Sequence, residues 1–298
     1  MNSTVRGNLA GIGALILWST MVGLIRSVTD AFGVAAGTAL IYSVGAALLF
    51  IRNGMPEVRK MPRIYLFGVG SLFVLYEIAL SQGVGMAENA RQTLEVGMLN
   101  YLWPCLTVVF SIWINKMKLR WLVWPGTALA AAGLYWCFAA NSGLDFSGLS
   151  HNVRASPLPY VFGMTAAVTW ALYCNFSVRY SRGHNAVPVF FAGVALVLWM
   201  AFFLRGEELR FPGFGPLCQL LVIGVIVGFS YSLWEHALHN GNFIILAVCS
   251  YFTPAASMLF AALWLNAVPP LGYWGGVGMV IAGSLLCWRS SVNRNRTP

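Results

Sequence analysis

Charge is what this sequence has least of. Only 9% of its residues are Asp, Glu, Lys or Arg, against about 25% in an ordinary soluble domain. With 58% of the residues hydrophobic, the chain cannot cover itself for water, so a soluble globular fold is excluded and a bilayer must be the solvent. Acidic residues are scarcer still, nine in 298, and they form neither a DDxxD cluster nor a His-Asp pair. That argues against a membrane-embedded prenyl- or acyltransferase. No Gly-Lys-Ser/Thr phosphate loop occurs, so nothing supports ATP-driven transport. The six cysteines, Cys105, Cys137, Cys174, Cys218, Cys249 and Cys287, include no CxxC pair and all fall in apolar runs. Free Cys behaves as a small hydrophobe, so no disulfide, metal site or cofactor is expected. EHALH at 235–239 places Glu and His in the wrong order for an HExxH zinc helix.

What the chain has in abundance is apolar length. A span needs roughly 20 apolar residues, and ten runs qualify: about 7–25, 33–51, 64–86, 94–114, 121–140, 158–178, 186–204, 214–235, 242–266 and 272–288. Runs this long predict helices, because a membrane barrel would show short alternating strands. The first run has Arg6 ahead of it like a signal peptide but no small-x-small cleavage pattern, which predicts an uncleaved helix. The net charge of +9 need not imply a nucleic-acid partner. With an inside N-terminus, inside segments hold thirteen Lys and Arg and outside segments five. The positive-inside rule then puts both termini in the cytoplasm.

The sequence is also written twice. WPGTALAAAGLYWC (124–137) aligns with WGGVGMVIAGSLLC (274–287) at an offset of 150, EIALSQG (77–83) with EHALHNG (235–241), and Trp18 with Trp170. The expected organisation is a first five-helix repeat over 1–140, a periplasmic linker over 141–157 and a second repeat over 158–298. Five spans per repeat make the second copy enter from the opposite side. The predicted fold is therefore all-α, ten transmembrane helices in two inverted-topology repeats around a central cavity, the plan of many secondary transporters.

Candidate site residues follow from two prolines. NYLWPCL (100–106) and SYFTPAA (250–256) each set a proline inside an apolar run. Pro104 cannot donate to the carbonyl of Asn100, nor Pro254 to that of Ser250. In lipid such freed groups should face protein, water or a ligand. On a helical wheel Trp103, Pro104, Thr107 and Ser111 fall within about 60° of Asn100. Ser250, Thr253, Pro254 and Ser257 repeat the stripe. Two matched stripes would line a cavity; the competing reading is a pair of ordinary proline kinks. Trp18, Tyr76, Tyr101, Trp170, Tyr173, Tyr231 and Tyr251 lie at useful depths and suit a flat aromatic ligand or an organic cation. Trp113, Trp121, Trp124 and Trp274 lie near run ends and suit an interface belt. Glu77 lies inside the third run and could hold a substrate amine, carry a proton or pair near the interface. Glu235, His236 and His239 suit a snorkelling interface cluster.

Four stretches carry a resemblance. LWSTMVGLIR (17–26), EVGMLNYLWPCLTVVF (95–110), CSYFTPAAS (249–257) and GSLLCW (283–288) resemble the YddG-type aromatic amino-acid exporters, in the EamA branch of the drug/metabolite transporter superfamily. The resemblance covers essentially the whole chain. It implies a ten-helix, inverted-repeat bacterial inner-membrane protein that exports phenylalanine, tyrosine and tryptophan, with other amino acids or organic cations as further substrates; a monomer with no enzymatic activity is expected. It also implies that Tyr101, Trp103 and Trp170 belong to the central cavity. A broad-specificity metabolite or drug exporter of the same superfamily is the alternative.

Overall fold

Proline, glycine and hydroxyl side chains decide where the apolar runs break. The computed structural model describes residues 3–116, 121–141, 153–209, 212–241, 249–250 and 252–292, and every regular element among them is helical. The first run is not one straight helix. It divides into α1 (Ser3–Ser19) and α2 (Met21–Phe32), bent by 41°. The Ser19 hydroxyl donates back to Leu15 O at 2.8 Å and that of Thr20 to Leu17 O at 2.8 Å, and such back-bonding bends helices. α3 (Val34–Asn53) follows. The third run then enters through a π-helical turn, Ile64–Val69, into α4 (Gly70–Gly85).

The fourth run also breaks, into α5 (Ala90–Asn100) and α6 (Trp103–Ile114). With no N–H at Pro104, the chain tightens: the Tyr101 N–H donates to Met98 O and that of Leu102 to Leu99 O, both at 3.1 Å. Proline thus stands second in α6, where its missing donor costs little. The remaining helices are α7 (Val123–Asn141), α8 (Pro157–Tyr180), α9 (Val187–Leu204), α10 (Phe214–Asn240), α11 (Thr253–Trp264) and α12 (Leu271–Val292). α11 starts as α6 does, with the Phe252 N–H on Cys249 O at 3.1 Å and Pro254 second in the helix.

The chain is a multi-pass membrane protein. Among the described residues five helices are long and apolar enough to cross a bilayer, six if the bent α1–α2 pair is one span. That is fewer than the ten runs. α11 is short, and part of the ninth run (242–248 and Tyr251) lies outside the described residues. α8 spends part of its length on Thr165, Thr169, Asn175 and Arg179. The outer face of α9 exposes Leu196, Val197, Met200, Phe203 and Leu204, a stripe that suits lipid rather than water.

α1 packs on α10, α4 on α8, α3 on α9 and α10, and α7 along α12, while α5 and α6 lean on α8 and α11 on α1 and α2. The α7–α12 seam is the tightest. A Cβ on Gly126 would meet Cys287 Sγ and Gly283 O at 2.8 Å; one on Gly276 would meet Cys137 Sγ and Gly133 O at 2.6 Å. Small residues let the two backbones touch.

Candidate functional site

The break after α5 presents side chains that a continuous helix would have aligned with its neighbours. Asn100 ends α5 and is buried, yet its Oδ1 has no hydrogen-bond partner among the described residues. Across from it on α11, Thr253 Oγ1 and Ser257 Oγ are likewise buried and unpartnered. The Tyr101 hydroxyl lies beside Ser257 without closing a bond to it, and Asn100 lies beside the Tyr76 hydroxyl. Buried polar groups are ordinarily paired. Three unpaired ones beside the two proline breaks, one ending α5 and two on α11, mark a place where something polar can bind.

Beside these polar atoms stands an aromatic wall. Trp170 of α8 is its hub: Tyr76 lies 4.4 Å away centroid to centroid, Tyr173 is stacked at 5.0 Å, and Trp103 meets it edge-on at 6.3 Å. Tyr231 of α10 touches Trp170 at 6.3 Å and carries the wall to Trp18 at 5.3 Å. Trp18 Nε1 is a further buried donor without a partner among the described residues. The structure therefore brings together Trp18, Tyr76, Asn100, Tyr101, Trp103 and Trp170. Pro254 and Ser257 lie buried on α11, with Ser250 just before it. Tyr251 and the Pro104 side chain lie outside what is described, and the Pro104 backbone marks the break between α5 and α6.

Glu77 sits at the edge of this wall, fully buried. Tyr42 of α3 donates to its Oε2 and Tyr231 to its Oε1, each at 2.6 Å, and Tyr42 also shares a 3.1 Å bond with Ser81. Among the described residues no cation faces it; the ion pairs there, such as Arg26–Asp30 and Lys60–Glu57, lie near helix ends. Sequence reading did not single out Tyr42. The signal was available: a carboxyl inside an apolar run needs donors, and Tyr42 lies midway along the run before it. A second buried carboxylate, Glu95, also escaped notice, although it falls inside the fourth run; Tyr160 donates to its Oε2 at 2.5 Å. Tyr173 was noted only for its depth, yet it stacks on the hub.

The remaining expectations concern the periphery. Trp113, Trp121 and Trp124 are exposed, as an interface belt requires, whereas Trp274 packs partly against the core. His236 is exposed and its carbonyl accepts from Asn240 Nδ2 at 3.0 Å. The Glu235 and His239 side chains lie outside what is described. No group of three or more potential metal ligands occurs among the described residues.

Known proteins resemble this chain along its whole length. The EamA-like transporter family matches residues 157–289. The aromatic amino acid exporter YddG of Salmonella typhimurium (strain 14028s / SGSC 2262) is 40% identical over 97% of this chain and 99% of its own. The protein of the same name from Escherichia coli (strain K12) is 40% identical over 95% of this chain and 97% of its own. One crystal structure superposes with a TM-score of 0.68 at 24% identity, covering 97% of this chain and 99% of the other; at that identity it speaks for the fold.

Proposed function

Since this chain belongs to the EamA-like transporters, and within them to the YddG group, we propose that it exports aromatic amino acids across the bacterial inner membrane by alternating access. It is a transporter, not an enzyme. The observation that carries the substrate reading is the pairing of an aromatic wall around Trp170 with unpartnered polar atoms at Asn100, Thr253 and Ser257. An aromatic amino acid offers the complement: a flat ring at one end, an ammonium and a carboxylate at the other. The Asn100 Oδ1 suits the ammonium, the Thr253 and Ser257 hydroxyls either end group. Trp103, Trp170 and Tyr76 receive the ring, an interaction worth about 0.5–1.5 kcal/mol beyond area burial. Tyr101 and Trp18 border the same space. Glu77, with both oxygens held by tyrosines, stands behind this surface.

The transport mechanism rests on two five-helix repeats of opposite topology, 1–140 and 158–298, joined by a periplasmic linker. The packing supports this reading. The α1–α10 contact has its counterpart in α4–α8, the contacts of α5 and α6 with α8 in those of α11 with α1 and α2, and α7–α12 is its own counterpart. Gly126 and Gly133 meet Gly283 and Gly276 reciprocally, as an approximate two-fold axis requires. The basic residues argue for cytoplasmic termini.

Counterflow of labelled phenylalanine in proteoliposomes tests the reading. Transient uptake driven by internal phenylalanine or tryptophan, and not by internal glutamate, is the expected result. Equal trans-stimulation by organic cations and by amino acids of every kind would favour the broad-specificity alternative. No counterflow of any amino acid would overturn the proposal.

A further inference from the structure

Glu77 is a buried carboxyl that stands behind the proposed substrate surface, and its hydrogen-bond partners can serve either protonation state. As a carboxylate it accepts from Tyr42 at Oε2 and from Tyr231 at Oε1. A buried carboxylate with neutral donors and no counter-cation is costly to keep. As a carboxylic acid it would carry a proton on one oxygen, and the tyrosine there would have to accept instead of donate. Tyr42 can do so, because its hydroxyl also lies 3.1 Å from Ser81 Oγ, where either atom can be the donor. In the neutral state Glu77 Oε2–H donates to Tyr42, Tyr42 donates to Ser81, and Tyr231 keeps its bond to Oε1. In either state the carboxyl and both tyrosine hydroxyls stay hydrogen-bonded. A carboxyl serving only to pin helices together would have no need of that third member.

The titratable groups facing Glu77 are Tyr42 from α3, Tyr231 from α10, Tyr173 from α8 and its own neighbour Tyr76. α9 contributes the phenylalanines Phe190 and Phe191 to the adjoining packing. Arg26 of α2 is occupied at the far end of α4, bonded to the Ala87 carbonyl and to Asp30. Among these facing groups Glu77 is the one carboxylic acid. Tyr231 connects it to the substrate wall through its ring contacts with Trp18 and Trp170.

We propose that Glu77 is the proton-carrying residue of this transporter and that export of substrate is exchanged for entry of a proton. The proposal rests on the exporter reading above. A substrate ammonium in the neighbouring cavity favours the carboxylate, and a proton on Glu77 removes that attraction. Binding of the two is mutually antagonistic, and the antagonism is reciprocal. One proton is taken up by the carboxylate from the acidic side and the same proton is released on the other; no other bond forms or breaks.

The test uses the full chain in proteoliposomes with an acidic lumen, one pH unit below the bath, and the potential clamped at zero with potassium and valinomycin. One-for-one exchange drives labelled phenylalanine to about tenfold accumulation in the lumen, since a decade of proton gradient balances a decade of substrate gradient. Glu77→Gln, whose amide imitates the protonated acid, should only equilibrate substrate, and its half-saturation for counterflow at symmetrical pH should no longer vary with pH as that of the wild type does. Ser81→Ala, which removes the alternative acceptor, should lower the accumulation and leave symmetrical counterflow intact. Accumulation persisting in Glu77→Gln would overturn the proposal. So would a half-saturation that still follows pH in that variant as it does in the wild type, which would assign the titrating group elsewhere. A wild type that equilibrates without accumulating defeats proton exchange while leaving the exporter reading standing.

Discussion

Asn100 is where fold and function meet in one residue. Its carbonyl loses the helical partner that position 104 would have supplied, and its side-chain Oδ1 is buried without a partner among the described residues. An unpaired buried acceptor weakens the empty protein, whereas a bond to a charged group contributes about 1.5–3 kcal/mol. Asn100→Leu is therefore expected to raise the thermal midpoint slightly and to weaken phenylalanine binding by roughly tenfold to a hundredfold. Thermal shift and ligand competition on the same preparation check both. A lower midpoint with unchanged affinity would make the amide a purely structural group. Trp103 gives a second test at this scale. Trp103→Ala should weaken aromatic substrates more than alanine, by about tenfold if the lost contact is worth ~1.4 kcal/mol, and Trp103→Phe should keep most of the preference. Competition by phenylalanine, tryptophan and alanine against one labelled substrate reads the difference; equal loss for all three would reduce Trp103 to packing. These residues were legible because they share one stripe. Tyr42 was not, since its bond to Glu77 crosses 35 residues of chain and two different helices.

Two kinds of helix junction carry the mechanics. The first is the proline-started helix, at Trp103 in α6 and Thr253 in α11. Pro104→Ala restores a donor toward the Asn100 carbonyl and should fuse α5 to α6. Transport should slow more than binding weakens if the break is a hinge, which single-turnover uptake set against equilibrium binding would reveal. The second is the glycine seam between α7 and α12. A Cβ on Gly133 would stand 2.7 Å from Gly276 O, and one on Gly283 2.5 Å from Gly126 O, whereas Gly278 has open space around it. Overpacking costs about 1–3 kcal/mol. Gly133→Ala and Gly283→Ala should each lower the unfolding midpoint in detergent by similar amounts, and Gly278→Ala should not. Unequal effects at the first two would count against a two-fold relation between the repeats. The prolines announce the first junction in the sequence. The glycines announce only that some seam exists, not which helix closes it.

At the scale of the molecule the open question is orientation. The thirteen-to-five distribution of Lys and Arg is the ground for proposing that both termini lie inside. A single cysteine replacing Ser147 in a cysteine-free background should react with an impermeant thiol reagent added to intact cells, and one replacing Asn295 should react only after permeabilisation. The reverse pattern would invert the topology and, with it, the direction in which the proposed proton moves.

The sequence alone determined the solvent and the helical class and is the ground for the proposed doubling, because each depends on composition or on a periodicity that survives without contacts. Apolar length demands a bilayer, and an offset of 150 between like segments needs no coordinates to be seen. It also determined the two proline breaks, since a missing N–H acts on its own helix. Tertiary structure decided which runs are broken by hydroxyl back-bonding, as at Thr20, and which polar groups stay unpaired. It decided that Trp170, rather than Trp103, is the hub of the wall. It alone joined Glu77 to Tyr231 across 154 residues. Hydrogen bonds and ring contacts between helices have no period along the chain, so only the packed bundle can specify them.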